Sequence, residues 1–97
     1  MILTRKDLGK YFYTVGTYFD KENKTTHKKV LKGKLITINT ERECKLEDGT
    51  IKEKSYTTVW LDLTDEPYSD KDYWYRTSKE IYRTQKEALK EIKDEKE

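Results

Sequence analysis

One histidine and one cysteine are all that this chain of 97 residues offers for imidazole or thiol chemistry. Nucleophilic catalysis needs a base beside the nucleophile. His27 lies in the run His27-Lys28-Lys29 at the start of an expected strand, the setting of a solvated residue. Cys44 alternates with Glu43 and Lys45. Neighbouring cations such as Arg42 and Lys45 lower a thiol's pKa, yet the strand pattern reads more simply as a small buried apolar residue. A single Cys forms neither an intrachain disulfide nor a Cys-based zinc site. Gly9, Gly16, Gly33 and Gly49 are scattered singly and make no phosphate loop.

Carboxylates crowd around Pro67, with Asp65, Glu66, Asp70 and Asp72 close together. Hard cations bind such oxygens, but the glycine and terminal bidentate Glu of a calcium loop are missing at their spacing. The segment reads as a solvated acidic loop, and no metal or cofactor is expected. Nothing in the chain selects two of its 19 acidic residues as a general acid and base.

Two other patterns join rings to charge. Tyr68, Tyr73, Trp74 and Tyr75 stand beside Asp70 and Asp72, while Tyr56 and Trp60 point away from the expected core face of their strand. Alternation cannot bury three consecutive rings on one face. Either a helix and barrel closure cover them, or they form an aromatic patch with an acidic rim, the composition of a protein-binding surface that would seek a basic partner. The second pattern is basic. Lys10, Lys28, Lys29, Lys32 and Lys34 accompany Tyr11, Tyr13 and Tyr18, and cations interleaved with rings suit single-stranded nucleic acid. Against that use, Lys outnumbers Arg by 17 to 4, whereas Arg is the favoured bidentate ligand of phosphate and bases. Lys on strands also protects sheet edges.

These residues need a scaffold. The chain is 41% charged and 33% hydrophobic, with a mean hydropathy of −1.13, and it holds no run resembling a membrane span or signal peptide. A soluble cytoplasmic protein is expected. Leu, Ile, Val and Phe together number only 19, but twelve aromatics can build a core of rings. A domain this small buries a modest fraction of its surface, so a partner or a second copy could complete its core. Residues 1–40 carry nine Lys and Arg against three Asp and Glu, a net of +6, while residues 41–75 carry five against ten, a net of −5. The total of +2 therefore hides a basic first hairpin and an acidic middle.

Thirteen Thr, the rings and the Ile and Val residues, against one Ala, predict strands through most of the chain. Tyr11–Phe19 is the first, the polar run 20–26 a loop, and His27–Thr40 the second, with a bulge or bend at Gly33. Asp48-Gly49 predicts a hairpin turn joining Arg42–Leu46 to Ile51–Leu63, whose core face is Thr57, Val59, Leu61 and Leu63. Asp72–Arg83 reads as a further strand with Ile81 as its core residue. Thr84 and Glu87 form a capping box that starts a helix over about 85–93, with Ala88, Leu89 and Ile92 on one face. The like-charge pairs Lys86/Lys90 and Glu87/Glu91 weaken that helix, so docking on the sheet must hold it, and the last four residues are expected to fray. Thr4 and Asp7 repeat the cap for one turn.

The expectation is one mainly β domain over residues 1–97. It is a small antiparallel meander of five strands, or a partly open barrel, with one C-terminal α-helix. In strand number and turn spacing it resembles the small SH3-like and OB-like barrels, and that resemblance implies no function. The leading expectation for function is a non-enzymatic protein that docks on another protein through its aromatic and acidic surface. Its Lys-rich, Arg-poor and Ala-poor composition is what an AT-rich genome encodes, and suits an accessory or phage-type protein, an inhibitor of a host factor included. The alternative is a nucleic-acid binder using the basic hairpin.

Overall fold

The computed structural model describes residues 1–94. The alternating run at the start forms β1 (Tyr11–Asp20), and the polar segment after it turns the chain with Lys24 at φ 54°. β2 (Thr25–Glu47) then runs unbroken for 23 residues. It merges two segments expected to be separate strands, because Thr40 and Glu41 form no turn and strand propensity carries through them. Asp48 and Gly49, at φ 55° and 77°, make the expected two-residue turn. The chain returns as β3 (Thr50–Asp62).

The segment expected as one strand from Asp72 to Arg83 divides into two. β4 (Tyr73–Thr77) pairs with β3, a 3-10 turn over Ser78–Glu80 carries the chain across, and β5 (Ile81–Tyr82) pairs with β1. The turn has its own signal in Thr77-Ser78-Lys79-Glu80, since the Thr77 N–H donates to Glu80 Oε1 at 2.9 Å. The result is a five-stranded antiparallel sheet of order β4-β3-β2-β1-β5, curled into a half-barrel with one C-terminal helix, α1 (Gln85–Asp94).

Directly paired residues share a face, so one side of the sheet collects Phe12, Leu31, Leu35, Val59, Leu61, Leu63 and Ile81 as the core. Each such side chain contributes about 1.5–3 kcal/mol on burial. Gly33 is not the bulge expected there. It faces Phe12, and a Cβ would lie 2.7 Å from Leu63 Cδ2, so it is needed for close packing. The register slips instead between Leu35 and Thr37.

Side chains bridge the open mouth. Arg76 Nε on β4 donates to Thr14 Oγ1 on β1 at 3.1 Å, and the Thr14 hydroxyl donates to the Glu80 carbonyl at 2.8 Å. Outside the barrel, the expected turn at Arg5–Asp7 forms, and Asp7, only 4% exposed, pairs with Arg83 at 3.0 Å. The Glu87 N–H donates to Thr84 Oγ1 at 3.2 Å to start α1, which lies against β1, β2 and β5 with Ala88 buried. Leu89, expected on the buried face, is 43% exposed. Of the last four residues, expected to fray, Asp94 is the final residue of α1, and 95–97 lie outside the described residues.

Candidate binding surfaces

The sheet register sorts the expected aromatic patch. Trp60 pairs with Tyr75, and Asp62 with Tyr73, on the face opposite the core. Because α1 lies against the other half of the sheet, this outer face of β3 and β4 is left uncovered: Trp60 and Tyr75 are each 39% exposed and Tyr73 is 53% exposed. The Trp60 and Tyr75 rings meet at 5.3 Å between centroids, tilted by 59°, a favourable aromatic geometry.

Glu41, a residue that the sequence did not single out, organises this face from β2. Its carboxylate accepts hydrogen bonds from the Tyr75 hydroxyl, from Tyr56 and from Thr58, and these hold its pKa below the ordinary carboxylate range against the opposing effect of burial. The hydrogen bond to Glu41 raises the phenol pKa of Tyr56 and, against the lowering effect of a hydrogen bond with Thr58, that of Tyr75. Pairing of Glu41 with Tyr56 across β2 and β3 places the anion among the rings. No local motif announces that; only the register does. Beside Tyr56 an open cleft of about 590 Å³ runs between Lys54, Glu43 and Lys79.

The other members of the expected patch lie elsewhere. Trp74 pairs with Leu61 on the core side and packs against the core, with the Arg76 guanidinium 4.2 Å and Lys71 Nζ 4.8 Å from its ring centroid. Tyr68 reaches over to the basic hairpin, where Lys29 Nζ lies 3.2 Å from its ring centroid. Asp70 lines a depression with Tyr18, Lys29 and Tyr68, and Asp72, exposed, passes its carbonyl to the Leu63 N–H at 2.7 Å. Glu66 anchors the acidic loop to the hairpin by accepting the Lys32 N–H at 2.9 Å. Among the described residues no cluster of three or more His, Cys, Asp or Glu is placed to hold a metal ion.

The basic hairpin is split between two faces. Tyr11 pairs with Lys34, Tyr13 with Lys32, and Thr17 with Lys28 on the outer side, while Lys29 and Tyr18 lie on the core side beyond the core itself. Lys32 and Lys34 stand 4.8 and 5.8 Å from the Tyr11 ring centroid, and Lys10 immediately precedes that strand. His27, in β2, stacks on Tyr18 at 5.3 Å. Cys44, expected to be buried, is exposed with its Sγ 3.5 Å from Glu53 Oε1.

Comparison with family models, with curated proteins and with solved structures finds no match, so the meaning of these surfaces rests on their own residues.

Proposed function

We propose that this chain is a non-enzymatic binding protein that docks on another protein through the outer face of β3 and β4. The observation that carries the reading is the set of exposed rings Trp60, Tyr73 and Tyr75 around the hydrogen-bonded Glu41 carboxylate. Rings concentrate binding energy at interfaces because they remove much apolar surface from water with few torsions to freeze. Glu41, and Asp62 opposite Tyr73 on the same face, favour a partner with a basic surface. Trp60→Ala or Tyr73→Ala should weaken binding at least tenfold, the scale of a hot-spot side chain. Affinity capture with wild type, these variants and Trp74→Ala tests it. A partner set unchanged by the outer-face variants, with folding intact, refutes the assignment.

A second reading has its own observation, the outer face of β1 and β2 beside α1, where the exposed Tyr11 and the half-buried Tyr13 stand with Lys28, Lys32 and Lys34. Single-stranded nucleic acid would lay phosphates on those lysines and bases on the rings. Binding to oligonucleotides must then fall steeply with salt through counterion release. No binding at low salt eliminates this reading.

A further inference from the structure

β2 and β3 outrun the rest of the sheet. β1 pairs with β2 only as far as Lys34, and β4 pairs with β3 only from Thr58 onward. Residues 42–55 therefore form a two-stranded arm with both backbone edges open among the described residues, and every residue of it but Glu43 is exposed. A lone two-stranded ribbon is marginal in water. Its tip carries the cross-strand pair Leu46 and Ile51, 74% and 71% exposed.

The geometry points to a symmetric dimer in which the β2 edge of this arm pairs antiparallel with the same edge of a second copy. The two-residue turn closes on the hydrogen-bonded pair Glu47/Thr50. Alternation then commits Glu47, Lys45 and Glu43 to β3 and turns the N–H and C=O groups of Leu46, Cys44 and Arg42 outward. A two-fold axis normal to the sheet keeps each side chain on its own face, so one residue must stand opposite its own copy. Centring on Arg42, Glu43 or Lys45 sets like charges against each other at the axis. Centring on Leu46 pairs little, because the strand ends at Glu47. Centring on Cys44 opposes Glu43 with Lys45 twice, lays the Arg42 stem over Leu46, and lets the outward groups make about six backbone hydrogen bonds. Glu41 then meets Glu47 of the second copy, whose charge Lys52 of its own chain balances at 3.6 Å.

Sedimentation equilibrium should show a wild-type dimer, with the amides of Arg42, Cys44 and Leu46 slowing in hydrogen exchange as concentration rises. Glu43→Lys and Lys45→Glu should each raise the dimer dissociation constant at least tenfold, and the double reversal E43K/K45E should recover it. Cys44→Pro should abolish pairing while circular dichroism shows the arm folded, since the Cys44 N–H bonds nothing within the arm and an edge strand tolerates Pro there. Diamide, which accepts two electrons and two protons from two thiols, should join two chains through Cys44 in wild type and not in the E43K variant. A monomer at millimolar concentration, or a dimer indifferent to the reversals and to Cys44→Pro, overturns the inference.

Discussion

Arg76 and Thr14 sit on strands separated by two others in the sheet, yet the guanidinium Nε of one donates to the hydroxyl of the other at 3.1 Å. This bond spans the open side of the half-barrel, and an ion pair between Arg76 and Glu80 at 3.2 Å lies next to it. Stacking of the guanidinium on Trp74 fixes its plane. The curl of the sheet thus depends on a polar bridge where a closed barrel would use backbone pairing.

Thr14→Val keeps the shape of the side chain and removes the bridge. Thr14 is fully buried, and the change leaves the Glu80 carbonyl and Arg76 Nε short of a partner. The expected loss is about 1–3 kcal/mol, read by urea unfolding. Arg76→Lys should fail to restore the bridge, because an ammonium has no planar fork to stack and donate at once. Wild-type stability in either variant would show that the bridge does not hold the curl.

Stability should fall on the acid side. The Arg83 hydrogen bond and the Thr4 N–H hold the Asp7 pKa below its ordinary value despite burial. Burial raises that of Glu80, but the Thr77 N–H and the Arg76 charge outweigh it and leave it lowered. A carboxylate with a depressed folded pKa adds stability that is present above the unfolded pKa and lost as pH falls through the folded one. The melting temperature should therefore hold from neutrality to about pH 4 and drop below it. Asp7→Asn should melt lower at pH 7 but show a shallower acid limb. A limb of unchanged slope would rule out Asp7 as a contributor.

Gly33→Ala tests the close approach of β2 to the core. The new methyl would meet Leu63 Cδ2 at 2.7 Å and Leu61 Cβ at 3.1 Å, with the Asp62 carbonyl behind them at 3.4 Å. Overpacking of this kind costs about 1–3 kcal/mol, measurable as a lower midpoint in chemical denaturation. No change in midpoint would mean that the neighbours yield freely.

Gly49→Ala tests the turn of the arm. A φ of 77° suits glycine, and a Cβ there costs about 1–2 kcal/mol. Open space surrounds the position, so the cost is purely conformational. Faster amide exchange in residues 42–55 with an unchanged core would localise the effect, whereas uniform loss of protection would tie the arm to global unfolding.

Local chemistry settled much of this protein. The Asp48-Gly49 turn, the caps at Thr4 and Thr84, the polar break after β1, the core residues Val59, Leu61, Leu63 and Ile81, and the mainly β class all follow from neighbours in the chain, because turn conformation, capping and alternation act over a few residues. The tertiary structure decided the rest. An uninterrupted β2, the passage of the segment after Thr77 to the far edge of the sheet, and the separation of Trp74 from Trp60 are matters of register and closure. Glu41 joins Tyr56 and Tyr75 for the same reason: which residue stands opposite which depends on strands brought together from afar, and no pattern within one strand encodes its partner's register.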